Sequence, residues 1–267
     1  MTPESPMATE SEIRTAPIAR FSPTHELATL GLGAIIYFGG RALVEGSEVA
    51  AFRNANRLLD LEEALGIDVE VSIQRFALDH SAVRHVSDLS YVWLHWPLLL
   101  TVLLALFVRD QKHYLQLRNA MFASGAVGLV FFATLPMAPP RFLDGFVGTV
   151  SDDARRHYIG YPLSWANQYA ALPSFHVGWT LIACLALAAS FRSHTAGALA
   201  IVPAVLVGIS VITTGNHYML DSIVGGVVAF GAYAWMGHRV NQRRPHGSIN
   251  EQRSDVAHRL GTFARLT

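Results

Sequence analysis

The sequence predicts an all-α fold: a polytopic membrane protein, a six-transmembrane-helix bundle with an interfacial amphipathic helical segment between helices 1 and 2. Three observations carry that prediction. The 267 residues are 51% hydrophobic and only 15% charged, and mean hydropathy is positive at +0.31, values that suit a membrane-embedded chain better than a soluble domain. The apolar residues gather into six runs separated by polar connections. Those connections alternate in character, the inward ones carrying Arg109, Lys112 and Arg118 or Arg192, although the first outward connection also carries arginines. A soluble all-helical protein is the competing reading, but buried core helices rarely run so far without a charge. Formal net charge is zero, so nothing draws the chain as a whole to nucleic acid, and no nucleic-acid partner is expected. Cys184 stands alone in an apolar run, which excludes a disulfide framework.

Residues 1–25 scatter Pro3, Pro6, Pro17 and Pro23 among Glu, Ser and Thr. They read as a short disordered tail without a signal peptide. One catalytic domain is expected over 26–237, followed by a polar basic tail over 238–267. The first apolar run, Leu27 to Val44, is glycine-rich and carries Arg41, which is expected to sit near an interface and snorkel. From Ala50 to Leu65 the apolar positions Phe52, Ala55, Leu58, Leu59, Leu61 and Leu65 recur at helical spacing, with Arg53, Arg57, Glu62 and Glu63 between them. That pattern predicts an amphipathic helix lying on the bilayer surface or against the bundle, either as a substrate-gating cover or as packing. Gly66 ends it, and a second helical segment is expected from Val69 to Leu78.

Five further spans are predicted: Tyr91 to Val108, Ala120 to Leu135, Val177 to Phe191, Ala196 to Ile212 and Tyr218 to Trp235. Arg109, Lys112 and Arg118 fill one connection, Arg192 another, and Arg239, Arg243 and Arg244 open the C-terminal tail. The positive-inside rule puts these pieces in the cytoplasm and turns 46–90, 136–175 and 213–217 outward. Trp93 and Trp96 fit an aromatic belt at the interface.

Two stretches carry chemistry. Ser174 follows Pro173 and precedes an apolar run, so it is an N-cap candidate with His176 in the first turn. Asn216 follows Gly215 and is the matching candidate for the last run, with His217 in its first turn. Helix starts present unpaired N–H groups and partial positive charge, which together favour a phosphate. His217 and Asp221 stand one turn apart on one helical face. The carboxylate can accept from one ring nitrogen, fix the tautomer and leave the other nitrogen aimed at a phosphorus atom. His176 can then protonate the leaving oxygen as general acid. Both histidines fall on the same side of the membrane whichever way the bundle is inserted.

Pro173-Ser174-Phe175-His176 resembles the Pro-Ser-x-His motif of the type 2 phosphatidic acid phosphatase (PAP2) superfamily, and His217-x-x-x-Asp221 resembles its closing His-x-x-x-Asp motif. Asn167-Gln168-Tyr169-Ala170-Ala171-Leu172 leading into the first motif, with Gly215-Asn216-His217-Tyr218, is similar to the bacterial branch related to inositol phosphorylceramide synthases. The resemblance covers about residues 50 to 237. It implies that His217 is a nucleophile forming a phosphohistidine, that Asp221 orients it, and that His176 is acid and then base. It implies no metal or other cofactor. The chain departs from the superfamily at two cations. Its first motif, Lys-x6-Arg-Pro, has Thr134 at the lysine position and a proline before rather than after Arg141. An arginine expected six residues before the closing histidine is Val211; the similar branch also lacks the full set.

Arg141 is the remaining phosphate clamp, because a guanidinium grips two oxygens at once; Arg155 and Arg156 are weaker candidates. Asn167, Gln168 and Tyr169 are candidates to line a headgroup pocket, and Tyr91 and His95 begin an outward-starting helix from which His95 can reach the site. Ser174 and Asn216 complete the expected substrate-binding set. The reading is a plasma-membrane lipid phosphatase or phosphotransferase working at the outer face on a lipid-linked phosphate, with water or a sugar or inositol hydroxyl as acceptor. The rivals are a transporter or channel, in which His217 and Asp221 relay protons, and a non-catalytic scaffold. Transporters tend to show internal repeats and broken helices near midplane; no repeat is visible here.

Overall fold

The computed structural model describes residues 22–44, 46–150 and 167–242. The expected N-terminal tail up to residue 21, the C-terminal tail from 243 onward with Arg243 and Arg244, and the candidates Arg155 and Arg156 lie outside the described residues. α1 (Pro23–Leu43) starts inside the stretch read as a tail. Pro23 suits the first helical position, where its missing N–H leaves no bond unmade. α2 (Glu48–Leu65) ends at Gly66, whose φ of 68° and ψ of 31° place it in the left-handed region that glycine enters without steric penalty. α3 (Glu70–Asp79) and α4 (Ser81–Leu89) follow, and a π-helical turn, Ser90–Leu94, carries α4 into α5 (His95–Arg109).

Asp110 separates α5 from α6 (Gln111–Thr134) and caps the latter, its carboxylate accepting from the His113 N–H at 3.2 Å and pairing with the His113 ring at 2.6 Å. A 3₁₀ turn, Pro140–Phe142, lies in the next connection. α7 (Phe175–Ser190), α8 (His194–Leu199), α9 (Val202–Thr213) and α10 (Met219–Gln242) complete the order. Among the described residues the only bridge pairing is an isolated one between Met137 and Ala170.

α10 packs along α6 and α7, and α7 is flanked besides by α5, α6 and α9. The main core joins Leu99, Val102 and Leu106 of α5 to Leu117 and Phe132 of α6, Phe175, Trp179 and Ile182 of α7, and Ala229 of α10. A second core seats Ala51, Ala55 and Leu58 of α2 against Met137, Ala138, Leu172 and Tyr218. The outward faces are apolar as well, Leu104, Val108, Leu199 and Val227 all being well exposed. An all-round apolar surface is what lipid solvates. In that solvent helices associate through close packing of small residues more than through apolar burial.

Four helical stretches are long and apolar enough to cross a membrane: Ser81–Arg109, Gln111–Thr134, His194–Thr213 and Met219–Val240. Of the other two expected spans, α7 has 16 residues, about 24 Å of rise against a hydrocarbon core of about 30 Å. α1 meets the criterion only when joined to α2 across a bend of 99°. The span expected from Tyr91 starts ten residues earlier at Ser81, so Tyr91 and His95 sit mid-helix rather than in a first turn. The polar face of α4, with Arg84, His85 and Asp88, hides its continuity from a hydropathy reading. The α2 pattern also needs correction at one position. Glu62, read among the polar positions, lies on the buried stripe with Ala51, Ala55 and Leu58 and has no exposed surface.

Candidate active site

Two glycines bring the motif-bearing helix starts together. A Cβ added to Gly225 of α10 would stand 2.1 Å from the Ser174 carbonyl oxygen, and one added to Gly178 of α7 would stand 2.4 Å from the Gly225 oxygen. At that spacing the Ser174 N–H donates to the Asp221 carbonyl at 3.1 Å. The rings of His176 and His217 are 5.7 Å apart between centroids, inclined at 54°. The two imidazoles therefore meet across one small space.

His217 is 7% exposed and Asp221 fully buried. His217 Nδ1 pairs with Asp221 Oδ2 at 3.2 Å, which fixes the ring; with the proton on Nδ1, the neutral ring carries its lone pair on Nε2. The same Oδ2 accepts from the Tyr218 N–H at 3.1 Å, and Oδ1 accepts from Ser222 Oγ at 3.3 Å. Burial, helped by the charges of Arg141 and Arg41 and opposed by the Ala171 carbonyl, holds His217 down to about 3. A neutral imidazole follows at physiological pH.

Asn216 does not cap α10 as expected. Its Oδ1 accepts from Arg141 Nη1 at 2.8 Å and its Nδ2 donates to Thr214 Oγ1 at 2.7 Å. The helix begins two residues after His217, and carboxylates meet its first N–H groups. Glu70 Oε1 accepts from Met219 and Glu62 Oε1 from Leu220, each at 2.6 Å. The phosphate-binding N–H groups read for this helix start are thus already engaged. Carboxylates there are favoured by the helix dipole.

At the other start Ser174 is the N-cap, fully buried, accepting from the Val177 N–H at a long 3.5 Å. His176 is half-buried. Tyr91 stacks on its ring at 4.8 Å and 20°, and His95 lies 4.5 Å away at 37°. His95 is buried and pairs through Nδ1 with Thr180 Oγ1 at 2.8 Å. The π turn sets these two side chains beside His176; such turns recur at functional sites.

Two cations act on the histidines. Arg141 is fixed from its backbone, its N–H donating to the Gly215 carbonyl at 2.8 Å. Gly215 has φ of 67° and lies under Val147, whose oxygen would be 2.8 Å from an added Cβ, so only glycine fits. Arg41 is the residue that sequence reasoning placed elsewhere. It does not snorkel away but is half-buried, its guanidinium 5.8 Å above the Phe132 ring and donating to the Asn167 carbonyl at 3.4 Å, with Nε buried and unpartnered. Its charge is felt at His217. The signal was the single arginine in an apolar run, a functional hypothesis by default in a membrane helix.

Asn167 is 2% exposed, and both ends of its amide are engaged, donating to the Val44 carbonyl at 3.2 Å and accepting from the Tyr169 N–H at 2.9 Å. It fastens its loop rather than lining a pocket. Tyr169 is half-buried against the second core, and Gln168 is exposed. The two positions that lack the motif cations are out of the site: Thr134 is exposed and bonds Val130, while Val211 is fully buried with Val207 and Ile212. Among the described residues no group of three or more His, Cys, Asp or Glu is placed to hold a metal.

A family model described as the PAP2 superfamily matches residues 56–235. The matched segment runs from within α2 into α10 and leaves out α1 with Arg41. No curated protein and no solved structure matches the chain.

Proposed function

This chain belongs to the PAP2 superfamily, and we propose that it is an integral-membrane lipid phosphatase or phosphotransferase working through a phosphohistidine. The observation that carries the reading is the pair of imidazoles 5.7 Å apart, one of them held by a carboxylate. In the first step the His217 Nε2 lone pair attacks phosphorus. A P–N bond forms, the bond from phosphorus to the leaving oxygen breaks, and His176 gives that oxygen a proton. In the second step a water or alcohol oxygen attacks phosphorus, its proton passes to His176, and the P–N bond breaks to restore His217.

Arg141 grips the non-bridging oxygens, and Arg41 supplies a second guanidinium in place of the motif cations the chain lacks. The first-turn N–H groups of α7 complete the anion site, since among the described residues no carboxylate meets them. Tyr91 and His95 wall the acid side and hold the His176 ring. Ser174 and Asn216 act on substrate indirectly, as the cap of α7 and the partner of Arg141, and Tyr169 borders the headgroup.

The substrate is a lipid-linked phosphate in the plasma membrane. We read six helices as crossing it, α2 and α3 as lying at the interface, and the site as opening on the outer face. Arg109, Lys112, Arg118, Arg192 and Arg239 then lie on the cytoplasmic side. One catalytic domain spans 26–237 between two polar tails. The acceptor distinguishes hydrolysis from transfer to an inositol or sugar hydroxyl. Purified protein in detergent is assayed for phosphate release from several lipid phosphates, alongside His217→Ala and His176→Ala. Loss of about a hundredfold or more in both variants is expected, and release equal in all three sinks the reading. Labelled lipid with candidate alcohols then identifies the acceptor.

A further inference from the structure

Glu62 and Glu70 are fully or almost fully buried, at 0% and 2% exposure, in a protein whose outer surface is built for lipid. Neither belongs to the two motifs that carry the chemistry. Their oxygens accept from consecutive N–H groups, Leu220 and Met219, at 2.6 Å each. Those groups form the first turn of the helix that presents His217 and Asp221. Glu62 Oε2 is buried with no hydrogen-bond partner, an expensive place for a bare lone pair. Two adjacent buried carboxylates do not both ionise; one keeps a proton that the other accepts. A proton on Oε2 turns the orphan acceptor into a donor, and Glu70 is the carboxylate beside it. The N-terminal dipole of α10 then supports the one remaining charge.

We propose that Glu62 and Glu70 are positioning residues: they share a single proton and, through the Leu220 and Met219 N–H groups, hold the first turn of α10 so that His217 and Asp221 stay aligned for phosphoryl transfer. The proposal rests on the phosphotransfer reading for its functional half, and on two buried carboxylates at consecutive N–H groups for the shared proton. The groups that face Glu62 are Glu70 from α3 and Asp221 from α10. Tyr218 stands among these three carboxylates and Arg141, its hydroxyl donating to the Ala138 carbonyl at 2.8 Å. Burial is the chief cause that pushes Glu62 up to about 8, with Glu70 and Asp221 adding to it and the Leu220 N–H opposing. Above that pH the pair becomes two like charges beside Asp221, and its grip on α10 fails.

The test compares the full-length chain in detergent with Glu62→Gln, Glu62→Ala and Glu70→Gln. Infrared titration from neutral to alkaline pH follows the C=O stretch of a protonated carboxyl. Wild type is expected to show that band and lose it with a midpoint near 8, and Glu62→Gln to lack it. Phosphate release from phosphatidic acid is then measured across the same range. Glu62→Ala is expected to lose about tenfold or more in kcat with KM little changed. Glu62→Gln restores most of that loss, because its amide accepts from Leu220 and donates to Glu70 as the protonated acid does. It also removes the alkaline decline. Glu70→Gln keeps the band but removes the neighbouring carboxylate that helps hold the proton on Glu62, so its midpoint moves down. Absence of the band, an unchanged midpoint in Glu62→Gln, or Glu62→Gln as impaired as Glu62→Ala overturns the proposal. If wild type itself releases no phosphate, the phosphotransfer reading fails, and the infrared titration alone still decides the proton pair.

Discussion

The starts of α7 and α10 look alike in sequence, each a polar residue and a histidine ahead of an apolar run, yet they are built for opposite charges. At α10 three carboxylates crowd the N–H groups, Asp221 on Tyr218, Glu70 on Met219 and Glu62 on Leu220. At α7 a single serine hydroxyl caps at 3.5 Å. A helix N-terminus attracts negative charge, but it can do so only once. The α10 end has taken that charge from its own chain, while at α7 only a serine hydroxyl meets the first N–H groups, which the proposed function assigns to the phosphate. A motif pair that reads as two anion sites holds one internally neutralised helix start, and the proposed function keeps the other for the anion.

The largest effect that tests this division comes from the joint between the two ends. Gly225→Ala drives a methyl group into the Ser174 backbone, which cannot yield as a side chain would. Activity is expected to fall at least about a hundredfold, with about 1–3 kcal/mol lost from overpacking. Gly226→Ala is the control, since its added Cβ would meet only Leu181 at 3.8 Å. Equal tolerance of both substitutions in a phosphate-release and thermal-unfolding comparison would break the joint.

Next comes Arg41→Gln, which removes one of the two guanidinium groups that the proposed function places on the anion. A charged hydrogen bond contributes about 1.5–3 kcal/mol, so KM for a lipid phosphate should rise about tenfold or more. Arg41→Lys should recover only part, lacking the fork. An unchanged KM would return Arg41 to a packing role on Phe132.

Two groups at the α10 end respond to pH with opposite signs. His217 is lowered from 6.5 to about 3, so the unfolded chain binds its proton first and stability falls as pH drops through that window. Glu62 is raised from 4.5 to about 8, so the folded chain keeps a proton the unfolded chain has lost, and stability falls as pH rises through that window. Thermal unfolding against pH should flatten on the acid side in His217→Gln and on the alkaline side in Glu62→Gln. A single shared slope in both variants would deny the contrast.

The smallest effect is Ser174→Ala. A good serine cap is worth about 1 kcal/mol, and one at 3.5 Å should cost about half of that in a melting measurement. A larger loss would mean that the cap is stronger than its length suggests.

The candidate residues that the fold brings together were legible because His176, His217 and Asp221 stand in short local patterns beside apolar runs. The helical class was legible from composition. Glu62 and Glu70 were not, because an acidic residue at helical spacing reads as solvated until tertiary contact shows N–H groups waiting for it. Arg41 was missed for a related reason: spacing gives depth in a membrane but not the direction a long side chain takes. Asn216 was misassigned because a capping residue type in the right place lost its amide to Arg141 and Thr214. Gly178 and Gly225 resembled ordinary small residues, and only the approach of two backbones reveals what their missing side chains allow. The count of spans suffered where α7 is short and where α4 is polar on one side.

α1 is pinned near its N-terminal end, where buried Glu26 pairs with Arg118 and accepts from the Tyr114 hydroxyl at 2.9 Å. Arg41 rides fifteen residues further along the same rod. That makes α1 a lever about 22 Å long, on which a swing of about 5° displaces the guanidinium by about 2 Å. On the proposed reading, bilayer thickness, which sets helix tilt, would shift Arg41 relative to the anion site, and an Arg118 substitution far from the histidines would alter that position.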